Sequence, residues 1–152
     1  MPPTAPYLQC SVLCDDVGRT SDGKLIVHGV FEAILSAEFP ATHRSCYVCN
    51  RWTGGAGTHR EKIRMLSPDG LETVLEGPES TFELASRSSC HTVICRLDGL
   101  RFPEPGIYWI QVVLDGSVVC EYALKAGNIP PRGQQGRGQD AGAAVKKTRV
   151  RH

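Results

Sequence analysis

Apolar residues in this chain recur at every second position and almost nowhere at the three-to-four spacing of a packed helix. Residues 106–115 carry the clearest case. Tyr108, Ile110, Val112 and Leu114 fall on one side of an extended strand, and Ile107, Trp109, Gln111 and Val113 on the other. The next run repeats the pattern, with Val118, Cys120, Tyr122 and Leu124 on one face and Val119, Glu121, Ala123 and Lys125 on the opposite one. Asp115-Gly116 between them supplies the positive φ angles of a two-residue hairpin turn. No stretch as long as about 12 residues keeps a capped, apolar helical face; only residues 31–39, ended by Pro40, have room for a helical turn or two.

The same turn chemistry recurs at Asp22-Gly23, at Asp98-Gly99 and at Asp69-Gly70, where Pro68 also fixes φ. Gly54-Gly55-Ala56-Gly57 separates two more extended runs. Between these breaks lie short segments at 7–15, 24–31, 45–53, 58–66, 72–76, 80–84 and 90–97, most of them rich in Val, Ile, Thr, Tyr or Cys. The pattern predicts an all-β fold: an antiparallel, immunoglobulin-like β-sandwich of about 7–9 strands with a disordered C-terminal tail.

The 152 residues fit one domain, and 41% apolar content is enough to build its core. Charge divides the chain. Residues 1–126 carry 11 Lys+Arg against 15 Asp+Glu, a net −4, whereas residues 127–152 carry six basic residues against Asp140 alone. The second stretch opens with Pro130-Pro131, several Gly and Gln, and Ile129 as its one large aliphatic residue up to Gln139, too little to offset the entropy of ordering it. A sandwich domain over 1–126 and a flexible basic tail over 127–152 are therefore expected. The first ten residues have neither a positive n-region nor an apolar core, so no secretory signal is expected. The uncharged apolar run from Pro105 to Leu114 is about half of what a membrane helix needs. Seven cysteines, an odd number, rule out complete pairing within one chain, and reduced thiols in a cytoplasmic protein fit best.

Several short motifs keep their order along the chain: Leu13-Cys14-Asp15-Asp16-Val17, Gly23-Lys24-Leu25 leading into Gly29-Val30-Phe31, Phe39-Pro40, Gly54-Gly55-x-Gly57-x-His59, Pro68-Asp69-Gly70, Phe102-x-x-x-Gly106-x-Tyr108 and Asp115-Gly116. In this pattern the chain resembles a family of small bacterial proteins catalogued only as a domain of unknown function, with a predicted β-sandwich fold. The resemblance spans about residues 7–126. It implies that fold and a bacterial origin, and it offers no catalytic residue to carry over.

Candidate chemistry is sparse. Cys46-Tyr-Val-Cys49 has the C-x-x-C spacing of zinc and redox sites. On a strand, however, positions three apart point to opposite faces, so the two thiolates do not readily share one ion. Core packing is the expected role of Cys10, Cys14 and Cys120, and surface exposure of Cys90 or Cys95 would point to a redox role. The glycines at 54–57 lead into an alternating run instead of a helix, which suits a hairpin loop better than a phosphate cradle. In that run Arg60, Lys62 and Arg64 share one solvated face. Asp15, Asp16 and Asp22 cluster without the spacing of a calcium loop, and His28 reads as a core or edge histidine. No Gly-x-Ser-x-Gly elbow is present, and His28, His43, His59 and His91 lie in four separate segments. No catalytic, cofactor-binding or metal-ligating residue is assigned.

Two features point to partners. The strand 107–114 is apolar on both faces, and a strand of that kind needs cover on both. Ile107, Trp109, Gln111 and Val113 are therefore candidates for a protein-binding or homodimer surface. Lys146, Lys147, Arg149 and Arg151 make the tail a candidate anion-binding segment, without the interleaved aromatics that read bases. The expected function is that of a non-catalytic binding or assembly module working through protein–protein contacts, with no cofactor and no membrane partner. A thiol- or zinc-dependent protein using Cys46 or Cys49, and a nucleic-acid accessory protein acting through the tail, are the alternatives.

Overall fold

A computed structural model describes residues 4–130. The described residues form ten strands and no helix: β1 (Tyr7–Arg19), β2 (Leu25–Phe31), β3 (Ala33–Ser36), β4 (Ala41–Thr53), β5 (Gly57–Leu66), β6 (Thr73–Glu76), β7 (Ser80–Leu84), β8 (Cys90–Phe102), β9 (Gly106–Leu114) and β10 (Ser117–Asn128). One sheet has the order β2-β1-β4-β8. The other runs β3-β10-β9-β5-β6, and β7 shares the outer edge of β5 with β6. The fold is all-β and two-layered, as the alternation requires. No helix among the described residues is long and apolar enough to cross a membrane.

The core forms where alternate residues of both sheets meet. Leu13, Val48, Trp52 and Leu97 come from the four-stranded sheet; Ile63, Met65, Tyr108, Ile110 and Leu124 come from the six-stranded one. Phe102 packs edge-on against Tyr108, ring centroids 5.0 Å apart, the geometry favoured by the aromatic quadrupole. Polar bonds also cross between the layers. Asn50 Nδ2 and Trp52 Nε1 donate to the Glu61 carboxylate at 2.7 and 2.8 Å, and the hydroxyls of Ser11 and Tyr122 pair at 2.9 Å.

The structure departs from the sequence reading at definite places. There are ten strands, not 7–9, and one pairing is parallel. After Phe31 the chain leaves β1 and crosses to the other sheet, where Glu32 accepts from the Lys125 N–H and β3 runs parallel to β10 from Ala33↔Lys125 to Ser36↔Asn128. That ladder serves the backbone groups a helical turn over 31–39 would have served, and it buries Ile34. It also carries β10 through Gly127 and Asn128, two residues past the expected boundary at 126. The rest of the expected tail, from 131 on and including Lys146, Lys147, Arg149 and Arg151, lies outside the described residues.

Asp98-Gly99 is not a turn. It sits inside β8, which stays paired with β4 from Thr53↔Cys90 to Ala41↔Phe102. Gly99 at φ +63° reverses which side faces inward, so Cys95 and Leu97 bury before it and Leu100 and Phe102 after it. The β9–β10 hairpin does turn at Asp115-Gly116, with both residues at positive φ. A bulge between Val118 and Cys120 then turns Val118 outward opposite Val113 and leaves Cys120, Tyr122 and Leu124 inward.

Candidate functional site

Strand β9 runs through the middle of the six-stranded sheet, and its outward residues set the character of that face. Across the registers, Leu66 and Ala123 flank Trp109, Arg64 and Glu121 flank Gln111, and Lys62 and Val118 flank Val113. Gln111 Nε2 donates to Glu121 at 2.8 Å, and Lys62 is paired with Glu76 at 2.7 Å. Arg64 has no carboxylate within ion-pair reach among the described residues, and its Nε–H lacks an acceptor. Five of the nine exposed large apolar side chains among the described residues, Leu35 (55% exposed), Ile107 (43%), Val118 (46%), Val119 and Ile129, lie on or at the margin of this face; Tyr7, Val30 and Ile94 belong to the other sheet and Leu71 to the β5–β6 turn. Of the four residues expected to form the contact surface, Ile107 is exposed and Trp109 and Gln111 are half-buried. Val113 is 3% exposed and offers a partner almost nothing.

The second conspicuous group is interior. His59 is 2% exposed, and both its ring nitrogens face oxygens that only accept: Nδ1 lies 2.8 Å from the Asp115 carboxylate and Nε2 2.9 Å from the Ala56 carbonyl. A proton on each nitrogen satisfies both neighbours, so the two contacts favour the imidazolium form. Burial opposes that charge, but the hydrogen bonds to Asp115 and Ala56 outweigh it and raise the pKa. Asp115 also accepts the Arg60 N–H at 2.8 Å. Its carboxyl is lowered: burial opposes ionisation, and the bonds from His59 and Arg60 prevail. The pair clamps the β9–β10 turn to the start of β5. Glu61, 1% exposed, is raised by burial even though Trp52 and Asn50 donate to it, and Asn50 Oδ1 has no partner.

The cysteines are all unpaired. Cys46 faces the core and Cys49, opposite Val12 and Ile94, the outer side of the four-stranded sheet, so the C-x-x-C thiols point apart. Burial pushes Cys46 up to about 12 and also raises Cys49 and Cys95. Among the described residues no three His, Cys, Asp or Glu side chains converge as a metal site. Cys14 is buried, but on the outer side of its sheet, where its thiol donates to the Tyr47 carbonyl. Cys10, expected in the core, is exposed because the bulge at Gln9 keeps it on the outer face.

That outer face holds a group the sequence did not announce. β1 pairs with β4 only as far as Cys14, then continues with β2 as a two-stranded arm. The arm's tip, with Arg19, Gly23, Lys24 and Leu25, stands across a cleft of about 670 Å3 from Arg51, Cys90, His91 and Thr92. Arg51 is held there by Gln9 Oε1 at 3.1 Å, Thr92 Oγ1 at 2.9 Å and the Cys90 sulfur at 3.1 Å. Cys90 is exposed and serves as the guanidinium's acceptor; Cys95 is buried. His28 lies exposed on edge strand β2. Alternation did contain the signal for the interior group, because with Arg60, Lys62 and Arg64 outward, His59, Glu61 and Ile63 must point inward.

No curated protein matches the chain. The family of unknown function DUF6941 matches residues 9–127. Among solved structures, β-glucosidase from Listeria innocua in complex with isofagomine is similar at 12% identity and a TM-score of 0.45, with 80% of this chain and 16% of that one covered. β-Glucosidase 3B from Thermotoga neapolitana in complex with α-D-glucose is similar at 13% identity and a TM-score of 0.44, with the same coverage. The chain thus spans about a sixth of the length of those enzymes, and at such scores neither likeness bears on what it does.

Proposed function

Because the chain belongs to DUF6941, a family of unknown function, its own geometry has to carry the functional reading, and we propose that it is a non-catalytic assembly module acting through protein–protein contacts on the outer face of the six-stranded sheet. The observation that carries this is the concentration of exposed apolar side chains around β9, with Leu35, Ile107 and Val118 on one face beside the half-buried Trp109. The occupant is a second copy of the chain. A two-fold axis in the interface, parallel to β9, sets β5 of one protomer over β10 of the other. Registers then bring Leu66 over the partner's Ala123 and Arg64, whose in-register neighbour Glu76 is ion-paired to Lys62, over the partner's Glu121. The engaged nitrogens of His59 and the enclosed carboxyl of Glu61 favour a structural role for the polar groups most like catalytic ones. Seven unpaired thiols suit a reducing, cytoplasmic setting.

Sedimentation of the full chain over a range of concentrations tests the reading. A reversible monomer–dimer equilibrium is expected, abolished in Ile107→Glu, whose exposed site tolerates the change without loss of fold. A wild-type chain that stays monomeric into the millimolar range, or a dimer indifferent to Ile107→Glu, overturns it.

A further inference from the structure

We infer that the cleft between the β1–β2 arm and the β4–β8 surface binds a phosphorylated small molecule, with the phosphate gripped by Arg51 on one wall and Arg19 and Lys24 on the other. The site lies on the opposite sheet from the proposed assembly face and is independent of it.

Charge is the first argument. Residues 1–126 are acidic, at −4 net, yet three of their eleven basic side chains line one cleft and no carboxylate is among its lining residues. Three cations elsewhere are ion-paired, Arg60 with Glu79, Lys62 with Glu76 and Arg96 with Asp98. In the cleft only Lys24 is, through Asp22 at 3.3 Å, and both of those side chains are largely exposed, so that pair is weak. Like charges facing one space repel, and an oxyanion between them relieves the repulsion.

Preorganisation is the second. Arg51 is half-buried, and its guanidinium is fixed by Gln9, Thr92 and Cys90, none of them a carboxylate. These bonds use one N–H on each nitrogen, and a second N–H remains on Nη1 and on Nη2 as a fork for two oxygens. Fixing the fork before binding removes part of the ordering entropy an anion would otherwise meet. Arg19, steadied by the Gly23 carbonyl at 3.1 Å, closes from the arm.

The ligand class follows from valence and volume. A carboxylate satisfies a single guanidinium, whereas a phosphate dianion has the charge and the oxygens for three cations on two walls. At about 670 Å3 the cleft is much larger than inorganic phosphate and within the size of small-molecule sites, so the phosphate carries an organic group. Leu25 offers that group a less polar lining.

An NMR titration of the full chain with ribose 5-phosphate, inorganic phosphate and acetate tests this. Ribose 5-phosphate is expected to shift the Arg51 Nε–H and the Gly23 and Thr92 amides in a saturable way, inorganic phosphate more weakly, and acetate not at all. Arg51→Gln should weaken the ester's affinity about tenfold or more. Lys24→Ala, on an exposed turn where folding is not at stake, should weaken it about threefold. The inference is overturned if neither phosphate probe shifts these resonances, if acetate or inorganic phosphate binds as tightly as the ester, or if both variants keep wild-type affinity, which would assign binding to the basic segment after residue 130.

Discussion

Glu61 is the place to test whether interior hydrogen bonds hold the two sheets together. Its Oε1 is the shared acceptor of Asn50 Nδ2 and Trp52 Nε1, and both donors belong to fully buried residues. Replacing it by Leu leaves two buried N–H donors without an acceptor. At about 1–3 kcal/mol for each orphaned group, the loss is about 2–6 kcal/mol. With about 4 °C per kcal/mol for a domain of this size, the melting temperature falls by roughly 8–24 °C. Glu61→Gln keeps an acceptor oxygen and should stay close to wild type. The pH dependence separates the two effects. Burial raises the folded-state pKa of Glu61, so its contribution is fully present below the unfolded value, near ~4.3, and is lost as pH rises through the folded one. The gap between wild type and Glu61→Leu should therefore widen on acidification from pH 7 towards pH 5, and Glu61→Gln should lack the decline that wild type shows on alkalinisation. Chemical denaturation of the three proteins across that range is the assay. A Leu variant as stable as wild type at pH 5, or a Gln variant as damaged as the Leu one, would refute the reasoning.

Other outcomes follow from the same geometry. His59 is raised and Asp115 lowered, so their joint contribution is largest between the usual carboxylate and imidazole values, lost in acid as Asp115 protonates and lost in alkali as His59 deprotonates. Asp115→Asn should remove the alkaline loss, read as melting temperature between pH 6 and pH 9. In a timed thiol titration of the folded protein, Cys10 and Cys90 should react first and Cys14, Cys46, Cys49 and Cys95 only on unfolding. Fast reaction of Cys46 or Cys49 would contradict the burial that raises their pKa values.

How far the sequence could be read depended on the range of the interactions. The β9–β10 hairpin was legible because strand, Asp-Gly turn and strand are contiguous, and Tyr108, Ile110 and Val112 bury as the alternation demands. Val118 was misplaced because a bulge shifts the parity by one, and nothing local in Ser117-Val118-Val119-Cys120 marks which residue is extra. Asp98-Gly99 looked like a turn because a positive φ serves a bend inside a long strand as well as a reversal. β3 was invisible because its four residues are held by a parallel partner some ninety positions away. The cleft shares that cause. Arg51 pairs with Cys10 and Thr92 in register, but its meeting with Arg19 and Lys24 depends on where the arm leaves the sheet, which no spacing encodes.

The central claim, that the outer face of the six-stranded sheet meets a second copy of itself, is tested most directly by isotope-filtered NOEs in a mixture of labelled and unlabelled chain. Within one protomer Leu66 and Ala123 are separated by strand β9, about 9–10 Å in sheet spacing, too far for a strong methyl–methyl NOE. The account predicts an intermolecular NOE from Leu66 to the partner's Ala123. Intermolecular NOEs confined to residues of the other sheet, or none at concentrations where the chain is dimeric, would contradict it.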